Sequence, residues 1–169
     1  MVCHDPKVDG VVVSQATADQ LLHLPLLEDV LQRYSQHAFL DIELKVQGLE
    51  SKLLNSLREY RMDEDYVVSS FLPEVVTELK TRSAKIQTGI ICDEPGQLAC
   101  WREANVEYVI PHHSLVTHAL VQEVHNVGGK LLTWTVNNRK AMLLLAEWGV
   151  DGIISDDTEL LVQTFARSE

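Results

Sequence analysis

The chain has 169 residues, 46% of them hydrophobic, and a formal net charge of −11. That length suffices for one domain with a real core, and the composition excludes a disordered chain. The acidic balance excludes nucleic-acid binding through bulk electrostatics, because phosphate neutralisation needs clustered Lys and Arg. No apolar run approaches the roughly 20 residues that cross a bilayer, so no transmembrane segment is expected. The start, Met1-Val2-Cys3-His4-Asp5, has neither the basic residues nor the apolar stretch of a secretory signal, and a cytoplasmic location is expected. Cys3, Cys92 and Cys100 form no CxxC pattern and are expected to be reduced and mostly buried.

In chain order, Pro25 opens a helical pattern over Leu26–Tyr34, since a missing N–H costs nothing there. Strand patterns follow at Phe39–Lys45, Tyr66–Phe71, Lys85–Cys92, Glu107–Pro111, Lys130–Val136 and Gly152–Ser155. Amphipathic helices are expected between them at Gly48–Arg61, Pro73–Arg82, Gly96–Ala104, Ser114–Asn126 and Asn138–Trp148, and a last one at Asp157–Ala166. Ser114 is the expected cap of its helix, while Gly128-Gly129 and Gly149 stop helices as C′ glycines do. No linker or repeat interrupts the pattern, so residues 1–169 are read as a single domain. Strict alternation with short connections predicts parallel strands joined by crossover helices. Six strands suit either an open doubly wound sheet or part of an eight-stranded barrel. Length alone favours the open sheet, because a complete barrel needs about 250 residues.

The segment Phe39-Leu40-Asp41-Ile42-Glu43-Leu44-Lys45 carries the most chemistry. Alternation puts Leu40, Ile42 and Leu44 on one face and Asp41, Glu43 and Lys45 on the other. Taken alone, this is an amphipathic strand with a solvated charged face. Parallel strands, however, are covered on both sides, so three charges on one face are costly unless they serve each other or a ligand. A carboxylate and an ammonium two residues apart suit a metal and an anionic phosphate. His4-Asp5 could be a general acid or base, although such a dipeptide is more often a turn. Phe71 and Trp134 fall at strand ends, where a ring could wall a pocket or simply fill the core. His112, His113 and His118 match no ligand spacing and are expected to be loop or surface histidines.

Together these segments resemble the glycerophosphodiester phosphodiesterase family. The matching stretches are Val2-Cys3-His4-Asp5, Leu24-Pro25-Leu26-Leu27-Glu28-Asp29-Val30-Leu31, Asp41-Ile42-Glu43-Leu44-Lys45, Val68-Ser69-Ser70-Phe71, Leu132-Thr133-Trp134-Thr135-Val136-Asn137 and Gly149-Val150-Asp151-Gly152-Ile153-Ile154-Ser155-Asp156. The resemblance implies a (β/α)8 TIM barrel and so displaces the open sheet. It implies a hydrolase of glycerophospholipid metabolism that splits glycerophosphodiesters into glycerol phosphate and an alcohol. By that analogy Glu43 is a ligand to Ca²⁺ or Mg²⁺ and Lys45 contacts a phosphoryl oxygen. His4 is a catalytic histidine serving the leaving alcohol, and Phe71 and Trp134 line the organic end of the substrate. The family's opening His-Arg-Gly motif and its Glu-x-Asp pair do not occur here. The expectation is therefore an incomplete barrel lacking its first two strands, whose missing motifs would precede Met1. The alternative is a non-catalytic partial barrel that binds a phosphate ester or a partner.

Overall fold

The computed structural model describes residues 1–62 and 64–166. The chain forms two compact units, one from Met1–Leu40 with Lys52–Asp65, the other from Asp41–Ser51 with Tyr66–Glu169.

The first unit begins without regular structure, and His4-Asp5 lies in a bend. A two-residue hairpin follows, β1 (Lys7–Val8) against β2 (Val11–Val12). After two 3₁₀ turns comes helix α1 (Leu27–Tyr34), whose Leu31 is fully buried. The Val2 N–H donates to the Pro25 carbonyl at 2.8 Å and ties the N-terminal segment to the start of α1. Most of helix α2 (Glu50–Glu59) also belongs here, and Ser56 Oγ donates to Glu28 Oε1 at 3.3 Å.

The second unit is a six-stranded parallel sheet in sequential order: β3 (Leu40–Glu43), β4 (Tyr66–Ser70), β5 (Thr88–Cys92), β6 (Tyr108–Pro111), β7 (Lys130–Thr133) and β8 (Gly152–Ile153). Its crossovers contain α3 (Pro73–Arg82), α4 (Pro95–Ala99), α5 (His118–Asn126) and α6 (Arg139–Trp148), and α7 (Thr158–Phe165) follows β8. Sequential order with a helix after each strand is the layout of a partial (β/α) barrel.

Two apolar layers sandwich the sheet. On the helix side, Ile90, Cys92, Val109 and Leu131 pack with Val76 of α3, Val121 and Val124 of α5, and Met142 and Leu145 of α6. On the other side, Val67, Ile91, Tyr108, Ile110 and Leu132 form the inner layer, with Phe71 and Trp134 against it. Gly89 belongs to this layer because nothing larger fits. A Cβ there would stand 2.7 Å from Ile110 Cδ1 and 3.1 Å from Val67 Cγ2.

Strand starts are held by a device used twice. Glu107, just before β6, accepts the Thr88 N–H of β5 at 2.8 Å and pairs with Lys80 at the end of α3. Asp151, just before β8, accepts the Leu131 N–H of β7 at 2.7 Å and pairs with His125 at the end of α5 at 2.9 Å. In each case a carboxylate joins an N–H at or next to a strand's start to a basic group at a helix C-terminus, where positive charge also suits the helix dipole.

Several expected boundaries shift. Helix α5 starts at His118, not Ser114. Val116 is extended (φ −76°, ψ 130°), and Thr117 caps the helix, its Oγ1 accepting the Leu120 N–H at 3.1 Å. The residues His113–Leu115 make a separate 3₁₀ turn. Helix α4 begins at Pro95 and gives way to a 3₁₀ turn at Cys100. Gly149 closes α6 with φ 87°, as expected. Of the cysteines, all free, only Cys92 is buried; Cys3 is half-buried and Cys100 exposed. Burial pushes the Cys92 thiol up to about 12, with help from Cys100 and Asp93.

Candidate active site

The inner face of the sheet collects the polar residues of β3. Ser69 Oγ donates to Asp41 Oδ1 at 2.5 Å, so Asp41 points to the same side as Ser69, Val67 and Phe71 of the β4 segment. Alternation places Glu43 on that side as well. Leu44, on the other parity, is buried. Although solvent reaches part of its side chain, Asp41 has its carboxyl raised from its ordinary value, chiefly by desolvation against the sheet; the Ser69 hydrogen bond works against this, and the Glu43 charge adds to it.

Glu43 stands nearer the C-terminal end of β3. Its Oε2 lies 3.3 Å from Lys45 Nζ, while its Oε1 is buried and has no hydrogen-bond partner. A buried carboxylate oxygen without a donor is costly and rare in a folded protein. Such an atom marks a place where a ligand or cation would supply the missing interaction.

The aromatic residues meet on the same face. The Phe71 and Trp134 rings are 5.6 Å apart and perpendicular, although three strand intervals of about 4.8 Å separate β4 from β7. The two rings thus close over the ends of β5 and β6. Trp134 is fixed at both ends: Nε1–H donates to the Ile110 carbonyl at 3.0 Å, and its own carbonyl accepts the His113 N–H at 2.8 Å. Past β7, the Ile154 N–H donates to Thr133 O at 2.8 Å and the Val136 N–H to Ile154 O at 2.9 Å. Asn137 then joins the two loops, its Oδ1 accepting the Asp156 N–H and the Ser155 Oγ–H, its Nδ2 donating to Asp156 Oδ2.

His112 also belongs to this group. It follows Tyr108 and Ile110 at two-residue intervals on the inner face, and its ring stands edge-on to Trp134 at 5.3 Å. His112 and His113 lie in the connection after β6, as loop histidines were expected to, and are half-buried beside Trp134. The missed signal was the period-two register of Tyr108-Val109-Ile110-Pro111-His112, hidden by treating the two histidines as a pair. His118 is on α5, 3.2 Å from Gln122, as a surface histidine would be.

Glu43, Lys45, Phe71 and Trp134 thus all lie in the second unit, at or beyond the C-terminal ends of β3, β4 and β7, where barrel active sites are built. His4 belongs to the first unit. Its side chain is 86% exposed and its Nδ1 is 2.9 Å from Asp5 Oδ1.

Matched to known families, residues 1–160 fit the model of the glycerophosphoryl diester phosphodiesterase family. The chain belongs to this family. A glycerophosphodiester phosphodiesterase of Caldanaerobacter subterraneus is 30% identical over 149 residues, which cover 82% of this chain and 60% of the relative. A crystal structure of a glycerophosphodiester phosphodiesterase from Parabacteroides distasonis aligns with a TM-score of 0.81 at 21% identity, over 99% of this chain and 78% of that one. A phosphodiesterase of Oleispira antarctica, solved with its product sn-glycerol-3-phosphate, aligns at a TM-score of 0.72 and 22% identity, over 83% and 60% of the two chains. These likenesses establish the fold of the present family member as a partial TIM barrel with a six-stranded parallel sheet.

Members of this family generally use divalent metals. Among the described residues no three His, Cys, Asp or Glu side chains converge to hold an ion. Glu43 offers one open carboxylate oxygen, whereas Ca²⁺ takes six to eight oxygens and Mg²⁺ near-octahedral coordination. The donor set is one ligand, and does not by itself make a metal centre.

Proposed function

We propose that this chain carries the phosphate-binding and alcohol-binding side of a phosphoric diester hydrolase acting on glycerophosphodiesters in glycerophospholipid metabolism. Lys45 holds a phosphoryl oxygen. Glu43 is a ligand to a hard divalent cation, Ca²⁺ or Mg²⁺, when further oxygen donors complete its shell. Phe71 and Trp134 enclose the organic end. Hydrolysis forms a P–O bond to water and breaks the one to the alcohol; His4 supplies the proton the departing alcohol takes up. The observation that carries the reading is the Glu43–Lys45 pair on an inner barrel face, with one carboxylate oxygen buried and unanswered. An ammonium at a strand's C-terminal end can donate charge-assisted hydrogen bonds to a phosphoryl oxygen, and a divalent cation on the neighbouring carboxylate would give the site the net positive charge a phosphate dianion needs.

Titration calorimetry with sn-glycerol 3-phosphate tests this. The chain should bind it, and Lys45→Ala should weaken binding tenfold or more, as loss of a charge-assisted contact does. Equal affinity in the two proteins refutes the assignment. The small metal donor set favours a second reading, a partial barrel that binds a phosphate ester without turnover. Release of glycerol phosphate from glycerophosphocholine with Ca²⁺ or Mg²⁺, abolished by Glu43→Gln, decides for the hydrolase; binding with no release decides for the second reading.

A further inference from the structure

His112 has one ring nitrogen committed and one open. Nδ1 accepts the Ser114 N–H at 3.4 Å and lies 2.8 Å from Ser114 Oγ, in the turn that leads away from β6. With Nδ1 accepting, a neutral ring carries its proton on Nε2. Nε2 has no hydrogen-bond partner among the described residues. The ring is held in place by Trp134 at 5.3 Å and His113 at 4.3 Å, and its backbone N–H is fixed to the Cys92 carbonyl at 2.7 Å. The result is a single donor, oriented by its neighbours, beside the aromatic pair and three strands from Lys45 in the sheet order.

From this geometry we infer that His112 is a further substrate-binding residue, whose Nε2–H donates to a hydroxyl oxygen on the glycerol portion of the ligand. The inference rests on the phosphate-ester reading given above. An aromatic wall alone accepts any organic group, while a fixed donor selects one with an oxygen at the right place. Lys45 would then read the phosphate and His112 the polyol, from opposite ends of one inner face.

The test compares two probes, sn-glycerol 3-phosphate and inorganic phosphate, by calorimetry on the whole chain and on the variants Lys45→Ala, His112→Ala, His112→Gln and His118→Ala. The glutamine amide can place a donor near the imidazole Nε2. His112→Ala should weaken sn-glycerol 3-phosphate about three- to tenfold, the range for one hydrogen bond, and leave inorganic phosphate unchanged. His112→Gln should recover most of that loss, and His118→Ala should match the unaltered chain. Equal weakening of both probes by His112→Ala would show a structural role and overturn the inference. So would unchanged affinity, or failure of His112→Gln to recover, with Lys45→Ala still losing both probes. If the unaltered chain binds neither probe, the phosphate-ester reading falls and this inference with it.

Discussion

Replacing Glu43 by methionine should make the protein more stable. The substitution keeps roughly the same length and removes a buried carboxylate oxygen that nothing satisfies. Leaving such a group unpaired costs about 1–3 kcal/mol. The opposing loss is the contact with Lys45, 3.3 Å away, whose side chain is 40% exposed; solvent-screened pairs of this kind contribute about 0–1 kcal/mol. At mid-range the balance is a gain of about 1.5 kcal/mol. For a chain of this size each kcal/mol moves the midpoint by roughly 2–4 °C, so Tm should rise by about 3–6 °C. Thermal unfolding followed by tryptophan emission reads it, with Glu147→Met as control: Glu147 is exposed on α6, and its replacement should change stability by less than about 0.5 kcal/mol. A lower Tm for Glu43→Met, with Glu147→Met unchanged, would refute the view that Glu43 is retained at a cost in stability for what it binds.

Three other outcomes are expected. Glu107→Ala removes the partner of Lys80 and the acceptor of the Thr88 N–H; since Glu107 is partly exposed, the loss should be about 1–3 kcal/mol in urea unfolding, and Glu107→Gln, which keeps an acceptor, should lose less. Gly89→Ala forces a methyl against Ile110 and Val67 and should cost about 1–3 kcal/mol, a prediction that unchanged stability would contradict. For Asp41, a carboxyl whose folded pKa is raised favours the folded state fully below its ordinary value near 3.8 and loses that contribution as pH rises through the raised one. Asp41→Asn should therefore gain stability relative to the unaltered chain between acid and neutral pH, and a gap that narrows with rising pH would count against it.

Much of this could be read before any coordinates. The alternation of Asp41, Glu43 and Lys45 with Leu40, Ile42 and Leu44 was legible in the sequence, because side chains alternate along a strand and three charges on one face of a parallel strand stand out. Trp134 and Phe71 meet as ring partners, a contact between residues far apart in sequence that their strand-end positions did not specify. What resisted reading was local turn chemistry. Ser114 looked like a cap, but the extended Val116 hands that task to Thr117, and two adjacent histidines concealed that only the first continues the inner register. The hairpin Lys7–Val8 with Val11–Val12 went unseen because two-residue strands leave no periodicity to detect. The orphaned Glu43 oxygen could not be foreseen at all, since it depends on which donors do not reach it.

The Glu107 and Asp151 clasps lie at the opposite ends of the strands from Glu43, Trp134 and His112. Rigidity and recognition are thus built from different side chains on different rims of the same sheet. The short loops that leave β4, β6 and β7, before α3 with Lys80 and α5 with His125, could be exchanged for those of a relative without disturbing either carboxylate clasp. For engineering, this makes the chain a chassis whose selectivity can be rewritten by loop grafting while its thermal tolerance is left alone.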